Sequence, residues 1–253
     1  MTRREIRTAR APRLSAAVAG LALVVAAGLP GGEASAQTGF GGRSAPVPAV
    51  TDTTPPPELH VAARNDHGRT VISLLLAGVD PNVRDAQRNT ALHVAIREES
   101  GHAFDELLKS PATDVNAINQ AGETPLMLAA IKGRLDWVKT LVKRGALIND
   151  AGWSALHYAA AGPNEAVVRW LVEQGAEIDA RSPNGTTPLM MAVGYGGLSG
   201  ADVLIDAGAD AALRNDQQLT AADFARRAGQ DEYAERLDKL AKVVKPTPSR
   251  TAP

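Results

Sequence analysis

Three histidines recur at one place in a repeated phrase. They are the fourth residues of Pro57-Glu58-Leu59-His60, Thr90-Ala91-Leu92-His93 and Ser154-Ala155-Leu156-His157. A ladder of imidazoles could hold metal along one edge of a stack. The same place holds Met127 in Thr124-Pro125-Leu126-Met127 and Met190 in Thr187-Pro188-Leu189-Met190, which fits a packing position instead. His67 and His102 are expected in turns between helices, with no Cys, Asp or Glu at the spacing that metal sites use. The chain contains no cysteine, which excludes thiolate-bound metal.

Other reactive constellations are no better represented in the sequence. There is no G-x-S-x-G nucleophile elbow and no G-x-x-x-x-G-K-[ST] phosphate loop. Gly194-Tyr195-Gly196-Gly197-Leu198-Ser199-Gly200 is rich in glycine. It reads either as a cradle for a phosphate, which needs a preceding strand that is not expected here, or as a flexible turn between helices. The acid pairs Glu98-Glu99 and Asp231-Glu232 fall on expected solvated turns. No catalytic residue, cofactor site or metal site is therefore expected, and the chain reads as a non-enzyme.

The elements behind these residues follow a fixed period. The third residue of each phrase falls at 59, 92, 126, 156, 189 and, in the worn copy Thr220-Ala221-Ala222-Asp223, at 222. A spacing of about 33 residues is the mark of a stacked repeat protein. Nineteen residues after Leu59, Leu126, Leu156 and Leu189 stand Gly78, Gly145, Gly175 and Gly208, each just past an apolar cluster. Glycine there predicts a helix stop, because it enters the left-handed region without a Cβ penalty. Each unit thus reads turn, helix, turn, helix, glycine stop, loop.

These residues resemble the ankyrin-repeat family, whose pattern is G-x-T-P-L-H-x-A-A, an apolar second helix, then G-A-D-x-N. Gly122-Glu123-Thr124-Pro125-Leu126-Met127-Leu128-Ala129-Ala130 and Gly185-Thr186-Thr187-Pro188-Leu189-Met190-Met191-Ala192 carry the match, and the resemblance covers roughly Pro57 to Leu240. It implies an all-α solenoid of stacked helix pairs with β-hairpin-like loops projecting to one side. It also implies that the phrase histidine is structural and bonds the backbone of a neighbouring turn. Physically, a single helix pair cannot cover its own apolar face, so each must lean on the next.

The expected organisation is a signal peptide over 1–36, a linker over 37–56, a repeat domain over 57–241 and a tail over 242–253. The repeats fall near 57–85, 86–119, 120–150, 151–181 and 182–215, with a cap over 216–241. Five arginines lead into an apolar run from Ser15 to Leu29, followed by Ala34-Ser35-Ala36, the layout of a cleaved secretory leader. Thr2-Arg3-Arg4-Glu5-Ile6 reads as a twin-arginine export signal or as a plain basic head. Export to a bacterial periplasm is the expectation, with secretion as the alternative. The first 36 residues carry five basic and two acidic side chains, so the remainder has 22 basic and 26 acidic ones, a net charge of −4. That balance argues against nucleic acid and against attachment to an anionic membrane.

Several units depart from the pattern. Pro111 stands where the second repeat needs its glycine. The fourth repeat lacks three residues before its phrase, which predicts a blunted loop tip carrying Trp153. Glycines 194, 196, 197 and 200 predict a loose fifth repeat, since each weakens a helix by about 1 kcal/mol relative to alanine. Trp137 is expected in the core. Trp170, on a second helix, is expected to pack against its neighbours. The last unit is polar on its outer side, as a terminal cap must be.

What remains is binding, with the helix-pair array presenting a concave face of first helices and loop tips. The sixth residue after each phrase leucine points there, which selects Asn65, Glu98, Lys132 and Tyr195, with Gly162 between. The tips add Asn89, Glu123, Trp153 and Thr186, flanked by Arg88 and Arg181. Trp, Tyr and Arg dominate interface hot spots, so Trp153 and Tyr195 head the set. Trp153 has a second reading, folded back onto the neighbouring loop. The expected function is a non-catalytic scaffold, monomeric alone, that binds a partner protein. An inhibitor or immunity partner of an exported enzyme is a narrower form of that reading. A small-ligand protein or enzyme using the Gly194–Gly200 turn is the alternative of another class.

Overall fold

A computed structural model describes residues 57–150 and 152–243. The expectations for the leader, the linker and residues 244–253 lie outside the described residues. Within them are six helix pairs and no strand: α1 Glu58–Arg64 with α2 Gly68–Leu76, α3 Ala91–Arg97 with α4 Gly101–Lys109, and α5 Pro125–Ile131 with α6 Leu135–Lys143. Then follow α7 Ala155–Ala161 with α8 Glu165–Glu173, α9 Pro188–Tyr195 with α10 Leu198–Asp206, and α11 Ala221–Arg227 with α12 Asp231–Val243. Helix α12 runs two residues past the expected domain end, so Lys242 and Val243 are helical rather than tail. No helix among the described residues is long and apolar enough to cross a membrane.

The phrase works because its first residue is a helix N-cap and its fourth returns the bond. Thr124 Oγ1 accepts from the Met127 N–H at 3.3 Å, while the Thr124 N–H points at the Met127 sulfur at 3.5 Å. Thr90 and Ser154 donate their N–H to Nδ1 of His93 and His157 at 3.2 and 3.1 Å, and Thr220 donates to Asp223 Oδ2 at 2.9 Å. Histidine, methionine and aspartate alternate at this place because each offers an acceptor to an otherwise orphaned N–H. Pro57 has no N–H, and Nδ1 of the fully buried His60 has no partner among the described residues.

The second helices end as their glycines dictate. Gly78, Gly145, Gly175 and Gly208 sit at φ of 86°, 93°, 85° and 94°. Each lets the next N–H reach back five residues, as from Val79 to the Leu74 carbonyl and from Ala146 to the Leu141 carbonyl. The second repeat uses other chemistry. Pro111 holds Ser110 extended (ψ 122°), and the Thr113 hydroxyl reaches the Leu107 carbonyl at 2.6 Å, the bond a glycine stop would have made from backbone.

Packing between pairs forms the core. Leu59, Leu92, Leu126, Leu156 and Leu189 are all but inaccessible, as are Leu107, Leu141, Leu171 and Leu204 on the second helices. Each such side chain contributes about 1.5–3 kcal/mol relative to leaving it in water. Trp137 stacks on Phe104 with ring centroids 4.5 Å apart, under the Arg134 guanidinium. The glycines of the fifth repeat have a reason the sequence reading did not supply. A Cβ at Gly196 would lie 2.0 Å from the Ala160 carbonyl oxygen, so glycine there lets the backbones of two repeats meet.

A ladder of loop asparagines ties the pairs further. Asn82, Asn116 and Asn149 each donate their amide to a carbonyl of the next loop (Ala112, Gly145, Gly175) and accept the N–H of Asp114, Leu147 and Glu177. The fourth rung is Asp179, whose two oxygens share the Asp210 N–H at 3.1 and 3.3 Å.

Candidate partner-binding face

The loop tips are built by short polar side chains closing on their own backbone. Asp85 Oδ1 accepts from the N–H of Gln87 and Asn89, Asn119 Oδ1 from Ala121 and Glu123, and Asn215 Oδ1 from Gln217 and Leu219. Such closures are the usual reason for Asp and Asn in turns. Successive tips join through backbone: the Gln120 N–H donates to the Gln87 carbonyl at 2.9 Å, and Asp216 to Asn184 at 3.1 Å. In the fifth tip the donor position of this ladder is Pro183, which has no N–H and rests over Gly152 instead. The shortened fourth tip and this proline interrupt the row.

The histidines sit behind the tips. Nε2 of His60, His93 and His157 lies 2.8, 3.1 and 3.0 Å from the carbonyls of Asn89, Glu123 and Thr186 in the following repeat. A carbonyl only accepts, so Nε2 carries the proton. In His93 and His157, Nδ1 is left to accept the N-cap N–H. Burial pushes His93 and His157 down to about 4, so both rings stay neutral at ordinary pH. With both nitrogens of His93 and His157 engaged, the repeated histidine is a strut between units. His102 is in the first turn of α4 and not in a turn between helices, a correction. It bonds Asp66 at 2.7 Å across two repeats. Among the described residues no group of histidine and carboxylate side chains is placed to hold a metal ion.

The residues chosen for binding separate into two rows. Asn65, Glu98, Lys132 and Gly162 are the C-caps of first helices, and Tyr195 is the last residue of α9. Arg88, Asn89, Glu123, Trp153, Arg181 and Thr186 lie at the other end, by the tips. A seven-residue helix of about 10 Å parts the rows. Five of the chosen side chains are occupied or buried within the fold. Glu123 bonds Asn119, lies 3.5 Å from Arg97, and abuts the buried Tyr158 hydroxyl, whose pKa burial raises. Lys132 reaches Glu99 at 3.3 Å. Trp153 is half-buried and meets the His157 ring of its own repeat edge-on at 5.3 Å, so it folds back onto the fold.

Asn89 and Thr186 are buried, and the Asn89 side chain donates to Asp85 and accepts from Asn119; the remaining chosen side chains face outward. Arg181 is exposed and bonds the Arg214 carbonyl at 2.8 Å. Asn65, Glu98 and Arg88 are exposed, and Tyr195 is 48% exposed. Arg88 is in the left-handed region (φ 61°), where the third, fourth and fifth tips use Gly122, Gly152 and Gly185. A non-glycine residue there costs about 1 kcal/mol. Asp66 and Glu99 are left-handed too, but their side chains tie neighbouring repeats, whereas Arg88 and Gln218, which holds the same place in the sixth tip (φ 61°), make no side-chain bond among the described residues.

The sequence reading missed Ile118 and Leu147, both exposed on the loops. The signal was legible in register: Ile118 stands where other loops carry Arg84, Arg181 and Arg214, and Leu147 where they carry Asp80, Asp114, Glu177 and Asp210.

Comparison with known proteins agrees with this architecture. A family model described as ankyrin repeats (3 copies) matches residues 59–151 and 146–215. The human neurogenic locus notch homolog protein 1 is 36% identical over 145 residues, 56% of this chain and 6% of that protein. The human notch homolog protein 2 is 36% identical over 140 residues, again 6% of its length. The chain thus spans only a small part of these relatives. Among solved structures, the ankyrin repeat domain of Bcl-3 superposes with a TM-score of 0.59 at 30% identity, over 70% of this chain and 81% of that one. An ankyrin repeat domain from Acinetobacter baumannii gives 0.61 at 28% identity, over 73% and 97%. With its helix pairs, glycine stops and capped phrases in register, and with the family matched over more than half its length, this chain belongs to the ankyrin-repeat family.

Proposed function

We propose that the chain is a protein-interaction scaffold without catalysis of its own, exported from the cytoplasm, that holds a partner protein along the loop tips and the C-terminal ends of the first helices. Ankyrin-repeat domains generally mediate protein–protein interaction, and that supports the general reading. The observation that carries the choice of face is Arg88. Its guanidinium is exposed and, among the described residues, unpaired, on a left-handed backbone position that three other tips fill with glycine, and strain of that kind concentrates where a side chain has work outside the fold. Exposed Ile118 and Leu147 beside the tips supply apolar contact area. The basic head, apolar run and small-residue site before Gln37 support export.

The test is co-purification from extract of the exported fraction, wild type against Arg88→Gly with Tyr195→Ala. Wild type is expected to recover a defined protein. The double variant should recover at least tenfold less of it, with an unchanged or higher Tm, because glycine relieves the left-handed strain. Equal recovery by the two chains, or nothing specific with wild type, counts against the reading. N-terminal sequencing of the exported chain should begin at Gln37, and a chain found intact in the cytoplasm would remove the export half of the proposal.

A further inference from the structure

Two neighbouring loop tips carry guanidinium charge that no carboxylate among the described residues pairs. Nη1 of Arg84 donates to the Arg88 carbonyl of its own loop at 3.1 Å and to the Ile118 carbonyl of the next at 2.6 Å, so it holds Arg88 and Ile118 side by side. Both arginines are exposed, and Ile118 is 47% exposed. The carboxylates of these tips are turned inward. Asp85 accepts from the N–H of Gln87 and Asn89 and from the Asn89 amide, and Glu123 meets Asn119 and Arg97. Farther along the row the matching arginine has acid beside it: a Cβ at Gly185 would lie 2.7 Å from Arg181 Nη2 and 2.8 Å from Asp216 Oδ1. The second and third tips thus differ from the fifth and sixth in joining unpaired guanidinium charge to an exposed aliphatic side chain.

We infer that the partner segment seated on these two tips is acidic and apolar, with a carboxylate against Arg84 and Arg88 and an aliphatic side chain beside it on Ile118. This rests on the loop-tip scaffold reading and names the chemistry that the face selects. A guanidinium bonded through one nitrogen keeps its charge and its other N–H groups, and it takes a carboxylate in a two-pronged geometry. Complementary charge fixes which partner docks and in which register, while covering Ile118 adds the non-directional part. The site is formed before a partner arrives. The Gln120 N–H donates to the Gln87 carbonyl at 2.9 Å, and the Asn119 amide to Asn89 Oδ1 at 3.1 Å, so the two tips are already fixed to each other and little ordering is left for binding. The preference is local to the tips, since residues 37–253 carry 22 basic and 26 acidic side chains and give no general attraction for acid.

Selection from a random peptide library on the immobilised full chain tests it. Wild type is expected to enrich peptides with Asp or Glu within two places of Leu, Ile or Val. A selected peptide should bind Arg88→Glu at least tenfold more weakly. Arg88→Lys, which keeps the charge but not the fork, should lose about threefold, and Ile118→Ser about fivefold. Because Arg88 makes no side-chain bond among the described residues, Arg88→Glu should keep the wild-type Tm. Affinity for wild type should also fall at least tenfold between 50 and 500 mM salt, a measurement that needs no variant to fold. Enrichment of peptides without carboxylates, or peptides that bind Arg88→Glu as tightly as wild type, overturns the inference and leaves the scaffold reading standing. A chain that enriches nothing overturns it as well, whereas the scaffold reading itself is decided separately, by co-purification.

Discussion

The two ends of the repeat array solve the same problem in opposite ways. At the C-terminal end α11 and α12 turn charges outward and bind them to one another. Arg226 pairs with Asp238 and Asp223, and Arg236 and Tyr233 both reach Asp202 on α10 at 2.6 and 2.8 Å. Their apolar side, with Ala234 and Leu237 fully buried, covers the fifth repeat. At the other end α1 begins on a proline that cannot cap it, and α2 leaves three leucines and an isoleucine partly open. Individual surface ion pairs contribute only about 0–1 kcal/mol, so the cap's value lies less in those charges than in what its other face covers. An end unit is defined by asymmetry between its two sides, and the first repeat lacks that asymmetry.

The contrast can be broken most forcefully at one register position. Leu204 in α10 is fully buried under its neighbours, whereas Leu74, the same place in α2, is half-open. Leu204→Ala should cost about 3 kcal/mol, within the range for buried leucine truncation, and Leu74→Ala about 1 kcal/mol, both read by urea denaturation of dilute protein. Equal costs would mean that the first repeat is covered in solution.

A smaller effect is expected where the fifth repeat meets the cap. Asp179 interrupts the asparagine ladder, having no amide for the Gly208 carbonyl that its register assigns it. Burial raises the Asp179 carboxyl above its ordinary 3.8, the Asp210 N–H opposes that, and the Asp210 and Glu177 carboxylates reinforce it. A raised acid stabilises the fold when protonated and loses that contribution as pH rises through the folded value. Asp179→Asn should therefore stabilise the chain by about 1 kcal/mol at neutral pH, the worth of one hydrogen bond. Its advantage should shrink as pH falls through the carboxylate range. Thermal melts at pH 7 and pH 4 check this, and a gap that widens in acid would contradict it.

The smallest change belongs to the open end. Pro57→Ser restores an N-cap and offers its N–H to His60 Nδ1, as Ser154 does to His157. It should raise stability by up to about 1 kcal/mol, measured as a shift in the denaturation midpoint at constant slope. No gain would mean that His60 already has a partner in solution.

Much of this molecule could be read from its residues. The glycine stops, the Thr/Ser caps, the shortened fourth loop and the polar outer side of the last unit are local or periodic features. Each depends on what one residue type permits its own backbone to do, so spacing alone exposes them. The binding face was legible only as a set of positions. Glu123, Lys132 and Trp153 occupy the right places, but Asn119, Glu99 and His157 take them up. Pattern cannot reveal this, because those partners come from the packed fold. The exchange of histidine for methionine read as packing, and Met127 and Met190 are indeed buried, but the place also supplies an acceptor for the N-cap N–H, a role visible only once donor and acceptor distances are known.

The amino-acid sequence by itself determined the repeat, its period, where each helix starts and stops, and which end carries a polar cap, because capping and glycine geometry act within a few residues. Only the tertiary structure decided which exposed-looking side chains are free, why Gly196 must be glycine, and that Leu74 lies open while Leu204 is sealed. Those outcomes depend on what the adjacent repeat brings within a few ångströms, and no residue carries that information about its neighbour.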